Sequence, residues 1–422
     1  MNYLKHQFQA LLDHWQDERK EIRSLRKTAF DRFNQLGFPT KKWEEWRFTD
    51  FSEIKKNEYC LAWSDDLPKI PKHIPGLIPD THPIIMINGH YQPQLTKLPV
   101  GVSVKSHEDF FLTDGDVYSL NGNKNPFLAL NTALMNSGIA LIVEPDSIIE
   151  NPIQIIYLTT ALSDQLMNHP RLVVQIGRNS QAALIEHYIG ETKIPYFVNP
   201  VTQVSIDENA SLSHIRILEE DVSCCHTATT HYILKNDARL DATSFSSGAK
   251  LFRHDIKLDF AGDGGEAVFN GLCLTKDQQH HDQHVIVDHQ QNFCQSRQLF
   301  KYILADKSSG VFNGKVIVRK NTKQTDADQS NRNLLLSPSA LMNANPQLEI
   351  LSDDVKCSHG STIGPFDNEE IFYLRTRGIN EKKARSLLIK AFCQDLLSFI
   401  EEESYLSEVN TLLDKWLMKY IK

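Results

Sequence analysis

Gly177-Arg-Asn-Ser-Gln-Ala-Ala-Leu-Ile-Glu186, Ile206-Asp-Glu-Asn-Ala-Ser-Leu-Ser-His214, Leu234-Lys-Asn-Asp-Ala-Arg-Leu-Asp241 and Phe260-Ala-Gly-Asp-Gly-Gly-Glu-Ala-Val268 share one plan. Each is the end of a strand, a polar turn, a small residue and a new alternating strand. The turn recurs at Asn179, Asn209, Asp237 and Gly264, about every 27 to 30 residues. Self-similar β-units at a near-fixed period mark a solenoid, whose coils cannot bury their inner face alone and must stack. The period is imperfect, so a sandwich of hairpins also fits these four segments.

Outward from the repeat, short β-rich runs extend from about Ile84 to about Ile363, as in Ile139-Ala-Leu-Ile-Val143 and Ile153-Gln-Ile-Ile-Tyr157. Both flanks read as helix. Leu4, Phe8, Leu11, Leu12 and Trp15 recur at helical spacing, and a second run through Leu25, Ala29, Phe33 and Leu36 stops at Gly37, with Pro39 beyond. In Pro39-Thr-Lys-Lys-Trp-Glu-Glu-Trp-Arg-Phe-Thr-Asp50 the two tryptophans are expected to pin a loop onto the neighbouring domain. At the other end Asn380 caps a helix with Ala384, Leu387, Leu388, Ala391 and Phe392 on one side; a stripe through Tyr405, Val409, Leu412, Leu413, Trp416 and Tyr420 follows. The expected division is an N-terminal helical domain with linker over 1–80, a β core over 81–365 and a C-terminal helical domain over 366–422.

Composition excludes several functions. A hydrophobic fraction of 41% and a charged fraction of 23% are ordinary globular values, and no run approaches the roughly 20 apolar residues of a membrane span. The net charge of -8, with no basic block interleaved with aromatics, argues against nucleic acid as a partner. The N-terminal residues carry no secretory pattern, so the cytoplasm is expected. Seven cysteines without a CxxC pair are expected to be reduced; the adjacent Cys224 and Cys225 face opposite sides of a strand and suit neither a disulfide nor a zinc knuckle. Gly310-Val-Phe-Asn-Gly-Lys315 is one residue short of a phosphate loop, and neither a GxSxG elbow nor an HExxH helix occurs.

Two segments carry ligand chemistry. In His280-His281-Asp282-Gln-His284-Val-Ile-Val-Asp288-His289, a strand puts His280, Asp282, His284 and Asp288 on one face and His281 and His289 on the other. His280, Asp282 and His284 are candidate metal ligands; the plainer reading is a polar ladder along a solenoid. In Val355-Lys-Cys357-Ser-His359, thiol and imidazole share a face about 7 Å apart at the backbone. That gap is long for one ion and comfortable for a multi-atom cluster or for ligands shared with a second subunit.

Asp326-Ala-Asp-Gln-Ser-Asn-Arg-Asn-Leu-Leu-Leu-Ser337, Asn345-Pro-Gln-Leu-Glu-Ile350, Asp353-Asp-Val-Lys-Cys-Ser-His-Gly-Ser-Thr362 and Phe372-Tyr-Leu-Arg-Thr-Arg-Gly-Ile379 together resemble the SufB/SufD family of iron-sulfur cluster assembly proteins. Lys41-Lys-Trp-Glu-Glu-Trp-Arg-Phe-Thr49 resembles the family's N-terminal signature, so the likeness spans nearly the whole chain. It lies on the SufD side, because SufB proteins carry a His-Glu-Ala segment where Cys357-Ser-His359-Gly360 stands here. The resemblance implies a right-handed parallel β-helix flanked by helical domains, paired with a SufB paralogue and carrying the ABC-type ATPase SufC on its C-terminal helical region. It implies a non-catalytic scaffold that reaches ATP only through SufC. His359 is then a ligand of a transient iron-sulfur cluster shared with SufB, with Cys357 in support, and Leu374, Arg375 and Arg377 face the ATPase. No flavin is assigned, and homodimers in the absence of SufB are left open. Ser361 departs from an expected alanine, and His280-His281 is richer in histidine than the pattern requires. The competing readings are a stand-alone β-helix metalloprotein and a polysaccharide-active β-helix enzyme, each using the 280–289 ladder.

Overall fold

The recurring turn is a left-handed corner. In the computed structural model, which describes residues 2–63, 73–111, 124–160, 165–400 and 403–420, Asp146, Asn179, Asn209, Asp237 and Gly264 have φ of 58°, 57°, 55°, 53° and 73°. Asn, Asp and Gly tolerate this region; other side chains meet the following carbonyl there. Each corner is tied to the next coil through its amide: Asn179 N donates to Glu208 O at 3.0 Å, Asn209 N to Asn236 O at 2.9 Å and Asp237 N to Asp263 O at 2.9 Å. Side chains extend the column, with Asn209 Nδ2 donating to Asn179 Oδ1 at 3.0 Å and Asn179 Nδ2 to Asp146 Oδ1 at 2.7 Å. The next residue turns into the coil and must be small: Ala210 and Ala238 are buried, and a Cβ on Gly265 would meet the Phe260 ring at 2.6 Å.

Each coil gives one strand to each of two sheets, and pairing is parallel between alternate strands. One sheet runs in register from Leu251–Phe260 through His280–His289 and Ser309–Val318 to Leu341–Ile350. The other runs from Gln181–Gly190 through Ser211–Glu219, Arg239–Ser246, Glu266–Thr275, Gln295–Leu304 and Thr325–Leu335 to Val355–Pro365. The result is a β-solenoid of about 8 turns, and the sandwich alternative falls because the strands pair in parallel across coils. Inward residues such as Leu212, Leu240, Phe269, Phe300 and Phe312 fill the lumen.

The two ends differ. At the N-terminal end antiparallel strands close the stack, Val102–Ser106 on Ser137–Val143 and His90–Tyr91 on His82–Ile87. At the C-terminal end Leu341–Ile350 and Val355–Pro365 are the last strands of their sheets.

The helices cover the outer faces. Asn2–His14 and Lys20–Leu36 stop as their periodicity predicts, the second at Gly37 with φ 67°. Together with Pro126–Leu134 they bury Phe8, Phe33, Trp46, Phe127 and Phe197 against the first sheet. Asn380 caps Glu381–Leu397 by accepting from Lys383 N at 2.9 Å. That helix and Glu403–Tyr420 cover the second sheet, placing Ile389, Leu396, Leu412 and Trp416 on Ile217, Phe245, Leu274 and Ile303. The stripe of the first of these two helices is a correction: Ala384, Ile389, Cys393, Leu396 and Leu397 are buried, while Leu387 is 42% exposed and Ala391 is exposed. The buried Lys301 sets the rotation by donating to Phe392 O at 2.6 Å and pairing with Asp395. Residues 64–72 of the linker expected ahead of the solenoid lie outside the described residues.

The corner column predicts an asymmetry at Asn209. Asn209→Val, β-branched at φ 55°, should cost about 1–2 kcal/mol in urea unfolding, and Asn209→Gly should be close to neutral.

Candidate functional site

Cys357 and His359 lie on Val355–Pro365, the last strand of the second sheet. Its inner edge pairs along its whole length with Thr325–Leu335, in the register Cys357 to Ala327 and His359 to Gln329; its outer edge pairs with no strand among the described residues. Val355, Cys357, His359, Ser361 and Ile363 alternate onto the lumen side, as strand geometry requires. Cys357 packs beside Val316, Val318 and Ala327, and Ser361 Oγ donates to Asn331 Oδ1 at 3.1 Å. Among the described residues no further coil stacks above them.

The two candidate ligands are therefore in different states. The His359 imidazole is exposed and makes no hydrogen bond or ion pair with any described residue. It ends an interior polar column in which Gln329 Nε2 donates to Gln298 Oε1 at 3.0 Å. Cys357 is half-buried, and that burial pushes its thiol up, so it sits protonated at neutral pH until something displaces the proton. Exposed Leu341, Ile350, Leu351 and Ile363 surround the same rim. Among the described residues this end has two unpaired strand edges, apolar side chains and no cap, and exposed edges of this kind are ones a fold must cover, pair or otherwise protect.

The other sequence-predicted ligands are on a strand, and the faces are as expected. His280, Asp282 and His284 are brought together on the outer face, but each is held by protein groups. Arg253 Nη1 donates to Asp282 Oδ2 at 2.7 Å and lies 3.0 Å from His284 Nε2. The Thr49 hydroxyl donates to Asp282 and lies 2.9 Å from His280 Nε2, whose Nδ1 is 2.7 Å from Ser309 Oγ. Arg253 also donates to Glu45 O at 2.9 Å and stacks on Trp46, its guanidinium carbon 3.7 Å from the ring centre. Burial alone would raise the Asp282 carboxyl, but Arg253 and His284 hold it well below the usual carboxylate range. Asp288 is taken by Arg319 at 2.6 Å. On the opposite face His281 Nε2 meets Gly248 O at 2.7 Å and His289 Nε2 meets Ser296 Oγ at 2.9 Å. This is the fixing point for the Pro39–Asp50 segment, as the tryptophans implied. Arg253 was missed in the sequence because, although Asp255 two residues on also accepts from it, the partners that define the fixing point lie 29 residues downstream and over 200 upstream.

Leu374, Arg375 and Arg377 fall on or just after the helix Asn368–Thr376. Leu374 is half-buried and both arginines are exposed, beside Phe372 and Tyr373 at 68% and 56% exposure. No described helix is long and apolar enough to cross a membrane.

The Arg253 fixing point generates a prediction. Arg253→Met leaves Asp282 as a buried charge without its cation, and chemical denaturation should register a loss of about 3–5 kcal/mol, while the exposed pair Arg239–Glu266 tolerates Arg239→Met with little change.

Comparison with known proteins matches the chain twice. The SUF system FeS cluster assembly SufBD core domain corresponds to residues 157–392, and the SufBD protein N-terminal region to residues 3–155. An iron-sulfur cluster assembly SufBD family protein of Synechocystis is 32% identical, covering 89% of this chain and 86% of that protein. The iron-sulfur cluster assembly protein SufD of Escherichia coli is 29% identical over 89% of this chain and 88% of its own length. A chloroplastic protein of Arabidopsis thaliana, ABCI7, is 28% identical over 89% and 82%. With its solenoid, its helical flanks and both family regions in order, this chain belongs to the SufBD family of iron-sulfur cluster assembly proteins.

Proposed function

We propose that this chain is a non-catalytic scaffold that supplies one half of a site where a nascent iron-sulfur cluster is assembled, the other half coming from a SufB-type paralogue. The observation that carries the reading is the open solenoid end, with an unpaired imidazole on its rim. Val355–Pro365 is paired along one edge with Thr325–Leu335, and among the described residues no strand pairs its other edge. A second solenoid joined edge to edge would extend both sheets, cover Leu341, Ile350 and Ile363, and bring its own ligands opposite His359.

The chemistry of the rim fits a cargo that must leave. His359 offers an exposed imidazole; Cys357 must lose its proton, against the burial that holds it on. Mixed histidine and thiolate ligation, incomplete on either chain alone, holds a cluster less firmly than four thiolates and leaves it transferable. His359 is thus the leading ligand and Cys357 the supporting one.

The energy source in this reading is an ABC-type ATPase of the SufC kind on the C-terminal helical region. Phe372 and Tyr373, flanked by Arg375 and Arg377, form the exposed aromatic and cationic patch that such a partner would bury. The helix Glu381–Leu397 is locked to the solenoid through Lys301 and Asp395, so a pull on the helices is transmitted to the second sheet.

Two outcomes are expected in cells that depend on this chain. His359→Ala should cut cluster formation on the co-purified complex by at least ten-fold while leaving the complex intact; loss of the complex itself would make His359 a packing residue. The double substitution Phe372→Ala and Arg375→Ala should release the ATPase and keep the paralogue, as read by pull-down, and retention of the ATPase would move its docking site elsewhere.

A further inference from the structure

Midway along the lumen a second cluster of ligand-type side chains lies far in sequence from the rim. Glu220 follows the strand Ser211–Glu219, and Cys224 and His226 open the strand Cys224–Leu234. All three are buried. Glu220 Oε2 lies 2.7 Å from His226 Nδ1 and accepts from the Cys224 thiol at 3.2 Å. Its other oxygen, Oε1, is buried and has no hydrogen-bond partner among the described residues. One ligand atom from each residue falls within 4.8 Å of the other two. The turn between the strands makes this convergence possible: Cys224 N donates to Asp221 O at 2.9 Å and Ser223 N to Asp221 Oδ1 at 2.9 Å, folding the chain back so that Glu220 and Cys224 meet.

Charge balance gives the cluster a direction. One coil away the buried Glu186 takes hydrogen bonds from Tyr188 at 2.6 Å and Thr202 at 3.1 Å, with His214 Nε2 at 3.1 Å and Arg216 Nη1 at 3.5 Å. Arg216 Nη2 is also 3.1 Å from His226 Nε2. Arg216 thus meets Glu186 directly and reaches Glu220 only through the His226 ring. Glu220 Oε1 remains a buried acceptor with no donor among the described residues, and a bound cation would satisfy it.

We propose that Glu220, Cys224 and His226 form a binding site for one thiophilic divalent metal ion of the Zn²⁺ type, inside the solenoid and separate from the rim. A carboxylate, a thiolate and an imidazole are the ligand types such an ion takes, with a fourth position left to water. The proton balance is simple. The Cys224 thiol loses its proton to solvent as the sulfur–metal bond forms, and the His226 ring proton moves from Nδ1 to Nε2. Arg216 Nη2 then gives up its contact with Nε2, and the guanidinium closes on Glu186. The ion with its carboxylate and thiolate is neutral, and Arg216 is left to neutralise Glu186. The turn Asp221–Ser223 adjoins the cluster and reaches the surface, with Val222 53% exposed.

The test is titration of the reduced full-length chain with Co²⁺ under anaerobic conditions. One equivalent should bind and give a thiolate-to-cobalt charge-transfer band. Cys224→Ser should abolish the band, Glu220→Gln should weaken binding at least ten-fold, and Cys357→Ser and Cys225→Ser should retain it. A wild-type chain without the band overturns the proposal, whether or not Cys224→Ser folds. So does a band that survives Cys224→Ser and disappears with Cys357→Ser, a result that would place the metal at the rim and leave the scaffold reading standing.

Discussion

A solenoid coil cannot bury its own inner face. Every coil here depends on the one above it, through the left-handed corner amides and through parallel pairing that keeps Leu on Leu and Gln on Gln. The constraint propagates to the ends of the stack, where it must be met by something else. At the N-terminal end the chain meets it with antiparallel strands. At the C-terminal end it does not, and the residues left without a coil above them include Cys357 and His359. The candidate site is therefore a consequence of the architecture: it is the inner face of a coil that was never covered.

The helical flanks serve the same stack from outside. Each sheet has an apolar outer face that water would otherwise meet, and the N-terminal helices take one face while the C-terminal pair takes the other. Polar fixing points set the registration of these layers. Arg253 ties the Trp46 segment to Asp282, and Lys301 ties the C-terminal helices to the second sheet. Both are buried cations; loss of Arg253 would strand the buried Asp282, whereas Asp395 opposite Lys301 is half exposed and keeps Arg332. Because the flanks sit on the faces and not on the end, the rim stays available to a second chain.

Much of this was legible in the sequence. The corner residues Asn179, Asn209, Asp237 and Gly264 gave the period because the left-handed backbone demands their chemistry, and that demand is local. Gly37 ended its helix for the same kind of reason. The opposite facing of His280 and His281 followed from strand geometry once the strand was granted. What was not legible depended on distant partners. The role of Asp282 is set by Arg253 and Thr49, which no spacing rule connects to it. The buried face of Glu381–Leu397 is set by Lys301, over 90 residues away. Cys224 and Cys225 do face opposite sides, one in the lumen and one toward the N-terminal helices, yet the convergence of Glu220 on Cys224 arises in a turn whose geometry the alternation pattern does not encode.

The central claim is that the strand Val355–Pro365 is an edge awaiting a second solenoid. Amide hydrogen exchange measures it most directly, by comparing this strand in the isolated chain and in the chain co-purified with its SufB-type paralogue. The account predicts rapid exchange at the outward-facing amides of Val355–Pro365 alone and strong protection in the complex, with the corner amides of Asn179 and Asn209 unchanged. Equal exchange of that strand in the two states would contradict it.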